Sequence, residues 1–249
     1  ADDVVITHAD GTETILLNAR GKIGAASLLL AGDRSMIEGT ARADRIAEGW
    51  QDIEGQSFGA LHRVAAGAGS DSVTGTARAD HIDGGSGADL LRGGGGNDAL
   101  LGMEGNDRLS GEAGHDTLAG GSGADTLHGN TGRDSLEGGA DNGVLHSGAG
   151  RSQLDGGGGR DTLYADLSGG GHVLTGGSGA DRFVFHGAGK TDSRSVITDF
   201  DFAEDRLILG TRAVDLTHLP DGMRLVETGA GTVLHLAPGH QVLLEDLFF

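Results

Sequence analysis

The chain has 249 residues, with 37 acidic side chains against 18 basic ones and a formal net charge of −19. That charge repels nucleic acid and anionic membrane surfaces and argues for cations as partners. There is no cysteine, which excludes disulfides and thiolate metal sites, and the longest apolar run, Ala25 to Ala31, is far short of the ~20 residues of a membrane span.

The N-terminus, Ala1-Asp2-Asp3-Val4-Val5, lacks the basic region and apolar core of a secretory signal and has no initiator methionine. The expectation is a processed chain or a piece of a longer one. Residues 1–36 read as an N-terminal β segment, in which Val4-Val5-Ile6-Thr7 and Glu13-Thr14-Ile15-Leu16-Leu17 flank an Asp10-Gly11 turn as a hairpin. Residues 37–65 read as the irregular opening of a solenoid. Gly39-Thr40-Ala41-Arg42-Ala43-Asp44-Arg45-Ile46 is nearly copied by Gly75-Thr76-Ala77-Arg78-Ala79-Asp80-His81-Ile82, while Gly49 to Ala65 between them lose the spacing.

Residues 66–184 form a regular array. Aspartates recur every nine residues at Asp71, Asp80, Asp89, Asp98, Asp107, Asp116, Asp125 and Asp134, and again at Asp161 and Asp181. Two places after each phase comes an apolar residue: Val73, Ile82, Leu91, Leu100, Leu109, Leu118, Leu127, Leu136, Leu145, Leu154, Leu163, Leu174 and Phe183. A glycine-rich turn precedes each aspartate, as in Gly84-Gly85-Ser86-Gly87-Ala88-Asp89. A repeat with one apolar residue and one carboxylate folds only by stacking on copies of itself. The fold class predicted is all-β, a parallel β-roll or β-solenoid with a β-rich C-terminal cap.

Glycine enters φ > 0 at no steric cost, so Gly-Gly-x-Gly winds the backbone tightly and turns carbonyls inward. Carboxylates and carbonyls, without sulfur, select calcium over transition metals. If one coil takes two repeats, Asp71, Asp89, Asp107 and Asp125 stack on one side, and Asp80, Asp98, Asp116 and Asp134 on the other. Adjacent coils ~4.8 Å apart are spanned by one ion ~2.4 Å from each ligand. The alternative, that the aspartates only cap turns, leaves stacked like charges without a counter-ion.

Gly-Gly-x-Gly-x-Asp-x-aliphatic-x resembles the RTX, or hemolysin-type, calcium repeat. Residues 84–92, 93–101, 120–128, 156–164 and 176–184 match at every defining position, and residues 102–110, 111–119 and 129–137 depart only at the second glycine (Met103, Glu112, Asn130). The resemblance implies a calcium-binding β-roll holding about four to eight Ca²⁺. Its ligands would be the aspartates above together with carbonyls at the second and fourth positions. Those carbonyls belong to Gly85, Gly87, Gly94, Gly96, Gly105, Gly114, Gly121, Gly123, Gly132, Gly157, Gly159, Gly177 and Gly179. Two repeats place Gly143 and Ser152 at the sixth position, and two extra residues before Asp181 put His172 there. These sites are expected to be lost or weakened, with Asp141 or Asn142 as candidate replacements at the first of them.

Residues 185–249 read as the C-terminal cap. All the phenylalanines except Phe58 fall from Phe183 onward. The segments 179–185, 197–200 and 205–209 resemble those closing RTX arrays, and Glu245-Asp246-Leu247-Phe248-Phe249 resembles the end of proteins exported by type I secretion. Gly55-Gln56-Ser57-Phe58-Gly59 fits the G-x-S-x-G hydrolase pattern but lacks its α/β context. In Gly187-Ala188-Gly189-Lys190-Thr191 a phosphate loop's first glycine is replaced by Val184. With no His-Glu-x-x-His, no catalytic residue is assigned, and the eleven histidines read as surface or turn residues.

The function expected is that of a secreted module, disordered at low calcium and folding on calcium outside the cell, with the type I secretion machinery as its partner in export. Rival readings are the tail of a secreted protease, lipase or alginate epimerase, and an adhesin or surface-layer segment whose partner is a second copy or a cell-surface glycan. Residues 1–65 could also form a small binding domain of their own.

Overall fold

The computed structural model describes residues 62–187, 193–219, 222–236 and 240–247, together with the strands Val4–Thr7, Glu13–Leu16, Met36–Glu38 and Arg45–Ile46. The first two strands pair antiparallel with Val4 opposite Leu16. The residues proposed to turn between them, Asp10 and Gly11, lie outside the described residues.

From Met36 onward the chain builds a parallel β-solenoid of two sheets, one ten-stranded and one twelve-stranded, to which successive strands contribute alternately. Strand periodicity explains the nine-residue pattern. Asp89, Leu91 and Gly93 are buried while Leu90 and Arg92 are exposed, so aspartate, leucine and the next glycine share the inner face. Leu91 pairs with Leu109 in one sheet and Leu100 with Leu118 in the other, each shift being two repeats, or one coil. The aliphatic file from Val73 to Leu174 is at most 1% exposed and forms one continuous core. Each added coil therefore buries two more leucine-sized side chains, and their burial from water drives the stacking.

The period stretches at both ends, and towards the C-terminus the core continues through Ile197 and Leu207. Ile37 pairs with Val64 and Ile46 with Val73, so each opening coil is as long as three repeats instead of two. This places Ile46 in the sheet of Val73, although its sequence copy Ile82 belongs to the other sheet. Towards the C-terminus the spacing widens again, from Leu154–Leu174 and Leu163–Phe183 to Leu174–Ile197 and Phe183–Leu207. Between the strands Thr162–Asp166 and Val173–Thr175 the extra residues lie in a turn.

Antiparallel strands then close each sheet. Arg206–Leu209 pairs with the two-residue strand Arg212–Ala213. In the other sheet His240–Glu245 lies parallel to Arg194–Ile197 and is followed by Gly231–Leu236 and Arg224–Thr228. A short edge strand on one sheet and a mostly exposed, polar one on the other blunt the templates that a bare solenoid would present. Phe183, Phe185 and Phe200 fill the core at this end, with the Phe183 and Phe200 rings 5.9 Å apart.

Candidate metal centres

The turns between the sheets are set by left-handed backbone at the second and fourth glycines, for instance Gly85 (φ 94°) and Gly87 (φ 129°). The three repeats lacking the second glycine keep that conformation, with Met103 at φ 77°, Glu112 at 72° and Asn130 at 66°. The coil geometry thus imposes on side-chain-bearing residues a conformation that costs roughly 1–2 kcal/mol each.

The sixth-position aspartates stack into two rows joined by one recurring bond: each backbone N–H donates to Oδ1 of the aspartate one coil further on. On one side these bonds run from Asp71 to Asp89 (2.7 Å), Asp89 to Asp107 (2.8 Å) and Asp107 to Asp125 (2.7 Å). On the other they run from Asp80 to Asp98 (2.8 Å), Asp98 to Asp116 (2.9 Å) and Asp116 to Asp134 (3.1 Å). The first row is interrupted at Gly143 and resumes. The Gly143 N–H donates to Asp161, Asp161 to Asp181, and Asp181 to Asp205. Asp205 was missed as a member of the row. Its signal was present, since Leu207 follows it at the same two-residue distance as in the repeats.

The other carboxylate oxygen is different. Oδ2 of Asp89, Asp98, Asp107, Asp116, Asp125, Asp161 and Asp181 is buried with no hydrogen-bond donor. Each faces the first glycine of its own repeat. A Cβ on Gly93 would lie 2.2 Å from Oδ2 of Asp98, one on Gly111 2.3 Å from that of Asp116, and one on Gly102 2.4 Å from that of Asp107. The carbonyl oxygen of Gly120, from the next coil, lies 2.5 Å from the same Gly102 Cβ position. Two acceptors therefore converge on space kept open by the missing side chain. The role of the first glycine was not assigned from sequence.

These oxygens have no proton-bearing neighbour, and their electrostatics show it. Burial pushes Asp98 up to about 7, against the hydrogen bond from Asp80 and with repulsion from Asp116, Asp80 and Glu112. Burial likewise pushes Asp107 and Asp161 up to about 6. Asp89, Asp116, Asp125, Asp134, Asp181 and Asp205 shift the same way for the same first cause. A buried carboxylate lacking donors needs a cation or a proton.

Among the described residues no three side chains of the His, Cys, Asp or Glu kind converge on one point. A metal held here would draw most of its ligands from carbonyls, which fits a hard, oxygen-seeking ion. The carbonyls expected as ligands divide into two groups. Those of Gly85, Gly121 and Gly157 accept hydrogen bonds from Glu104, Ala140 and Ser178 of the next coil, leaving one lone pair each. Those of Gly87, Gly105 and Gly123 accept no backbone hydrogen bond among the described residues, and those of Gly87 and Gly105 point at the corresponding glycine of the next coil.

The second row turns neutral beyond Asp134. The same bond runs from Asp134 to Ser152 Oγ (3.2 Å), from Ser152 to His172 Nδ1 (3.2 Å) and from His172 to Ser195 Oγ (3.1 Å). Ser195 then meets His240 Nε2 at 3.3 Å, while Ser193 bonds His240 Nδ1. At the first position this stretch carries Ser147 and Leu167, whose side chains occupy the space the glycines leave open elsewhere. Carboxylate and cradle disappear together. His172 and His240 are buried, which corrects the reading of all histidines as surface or turn residues. Burial lowers both imidazoles, His240 to about 4. His128 and His146 lie half-buried on the outer face, stacked with Tyr164 at 4.4 Å spacings. Asp141 and Asn142 hold neighbouring turns through Gly123 and Arg160, outside the row. Ser57 and residues 188–191 of the other weak motifs lie outside the described residues.

A protein-family model of the RTX calcium-binding nonapeptide repeat matches four times, over residues 66–100, 92–127, 101–136 and 137–168. This segment belongs to the RTX calcium-binding repeat family. Its repeats are calcium-binding, and the solenoid described above is their β-roll. The RTX match ends before Asp181 and Asp205, which continue the row structurally. No curated protein matches the chain. Among the described residues no helix is long and apolar enough to cross a membrane.

Proposed function

We propose that this chain is a calcium-driven folding module of a protein exported by the type I route, disordered at low calcium and folded outside the cell. The observation that carries the reading is the series of buried Oδ2 atoms without donors. Asp89, Asp98, Asp107, Asp116, Asp125, Asp161 and Asp181 would supply carboxylate oxygens, and fourth-position carbonyls such as those of Gly87, Gly105 and Gly123 would complete each site. Asp71 and Asp80 extend the rows as weaker ligands, because Ala66 fills the first position before Asp71 and Thr76 donates to Asp80 Oδ2. Bound calcium supplies the positive charge that these oxygens otherwise lack.

Without that charge the chain carries stacked carboxylates every ~4.8 Å and one glycine in about five residues, whose backbone freedom opposes folding. Binding to the folded state alone then makes ligand concentration the control of folding. Affinities of roughly 10⁻⁴–10⁻³ M, typical of extracellular modules, would keep the chain unfolded in the cytoplasm. The absence of cysteine suits passage of an unfolded chain through an exporter. The acidic, apolar terminus Glu245-Asp246-Leu247-Phe248-Phe249 supports the export reading.

The test is a far-ultraviolet circular dichroism titration from chelator to about 10 mM calcium, bracketing that extracellular range. A steep cooperative gain of β signal is expected. A β spectrum already complete in chelator would remove the switch.

A further inference from the structure

Where the second row turns neutral, the outer surface beside it becomes basic. The residues just before Asp134, Ser152 and Ser195 are Arg133, Arg151 and Arg194, all exposed, in a chain of net charge −19. All three line a groove of about 480 Å³ together with buried Ser152 and His172. Gly171 stands at the equivalent position between Arg151 and Arg194, where the Arg194 backbone packs so closely that a Cβ would lie 1.7 Å from its carbonyl oxygen. Arg133 and Arg151 sit one coil apart, about 4.8 Å, and Arg151 and Arg194 two coils apart. The Arg151 stem rests on Gly170, where a Cβ would lie 3.2 Å from its Cγ. Among the described residues no carboxylate pairs with any of the three.

The floor differs from every other part of that row. Between Asp80 and Asp134 an anion would meet carboxylates, whereas here the side chains are neutral: Ser152 Oγ accepts from the Asp134 N–H and donates to its carboxylate, and the His172 ring lies between the Ser152 N–H and the Asp166 carbonyl. Gln153 and Val173 also line an adjoining groove of about 320 Å³, which carries Glu137 and Asp155. One continuous surface thus offers fixed cations at one end and hydrogen-bond acceptors at the other, with the Gln153 amide between.

Such a surface selects a ligand with both anionic groups and several hydroxyl donors. An extended phosphate backbone or an anionic membrane has the charge without the hydroxyl donors that Glu137 and Asp155 would accept. We propose that this groove binds a short acidic oligosaccharide. Its carboxylates lie on Arg133, Arg151 and Arg194, and its hydroxyls donate to Glu137 and Asp155. Guanidinium forks suit planar carboxylates. The proposal does not depend on calcium-driven folding, requiring only that the roll be folded.

The test uses the full chain at saturating, buffered calcium, titrated with digalacturonate by calorimetry, with lactose and inorganic sulfate as controls. Saturable one-to-one binding of digalacturonate and none of lactose is expected. Arg151→Gln with Arg194→Gln should weaken it about ten-fold or more, as loss of charge-assisted bonds implies, and Glu137→Gln with Asp155→Asn should weaken it less. An unchanged far-ultraviolet circular dichroism spectrum and melting temperature at saturating calcium confirm that each variant folds. If the glutamine pair changes either, Arg151→Lys with Arg194→Lys keeps the charge, removes the fork and should still weaken binding. No saturation, or undiminished binding in the arginine variants, overturns the proposal. Sulfate binding as tight as digalacturonate, with no effect of the carboxylate substitutions, also overturns it by showing an anion site that ignores the sugar.

Discussion

The two sides of the roll use one backbone bond and two chemistries. On one side it lands on a carboxylate from Asp71 to Asp205, with a single gap at Gly143. On the other it lands on aspartates as far as Asp134 and then on Ser152, His172 and Ser195. Both halves of the second side stack equally well, so coil stacking needs only an acceptor. The charge is surplus to stacking and makes the aspartate stretches dependent on a counter-ion. The neutral stretch, whose Ser152, His172 and Ser195 side chains find partners within the protein, adjoins the aromatic end. The acidic stretch should therefore fold onto the neutral one.

The strongest way to break that comparison is to delete residues 187–249. If the C-terminal end is the template, calcium-induced β signal should vanish at every calcium concentration. A truncated chain that still folds would show that the acidic coils nucleate alone. Next in size, Asp107→Ala with Asp116→Ala removes one carboxylate from each row and should raise the calcium midpoint by about ten-fold or more, since each loss leaves neighbouring ligands uncompensated. Gly102→Ala should act in the same direction, because its Cβ would overlap Asp107 Oδ2 at 2.4 Å.

Acid separates the two chemistries. Asp98 at about 7 and Asp107 and Asp161 at about 6 stand above the ordinary 3.8 of the unfolded chain. The calcium-free fold thus holds protons that the unfolded chain releases, and its stability falls as pH rises from about 4 to about 7. The lowered imidazoles work oppositely: stability from His240 is lost as pH falls from 6.5 towards about 4. Nine raised carboxyls outweigh the four lowered imidazoles of His128, His146, His172 and His240. In chelator, β signal should rise between pH 7 and pH 5. In calcium, the midpoint should climb over the same interval as protons compete for Oδ2.

A smaller change would convert one chemistry into the other. Ser152→Asp alone should gain little, because the Ser147 side chain fills the first position. Combined with Ser147→Gly it should add one bound calcium by equilibrium dialysis. Equal gains in the single and double variants would show that the first glycine has no part in binding. Smallest of all, Glu112→Gly relieves a φ of 72° and should stabilise the calcium-loaded fold by about 1 kcal/mol, read from thermal melting.

The periodic parts were legible because each repeat states its own structure. Leu91, Leu100 and Leu109 announce the inner face, and a nine-residue spacing with two repeats per coil reproduces the observed pairing of Leu91 with Leu109. The aspartate rows follow from the same arithmetic. The sequence was silent wherever a partner lies at a distance its period does not specify. Asp205 joins the first row by bonding back to Asp181 across a lengthened coil, and His240 joins the second by returning to Ser195 from the far end of the cap. The first glycine went unread because sequence shows that a side chain is absent there but not which oxygens approach the space. The histidine error has another root, because the place of His172 at the sixth position was legible and its burial follows from that place. His172 is buried because it inherits an aspartate's place in the coil, against the usual preference of its residue type.

The two-repeat coil also gives the roll a parity. Removing a pair of adjacent repeats from the regular array excises one whole coil, and every downstream side chain keeps its sheet, its side and its row. Removing a single repeat keeps the leucines in phase but exchanges the sides, so that the neutral column of Ser152 and His172 would continue the row of Asp125 and Asp107 instead. Length can drift by whole coils at little structural consequence, while one repeat gained or lost rewires which acids face one another. An array that grows or shrinks by duplication is therefore held to even steps, although every repeat reads as equivalent.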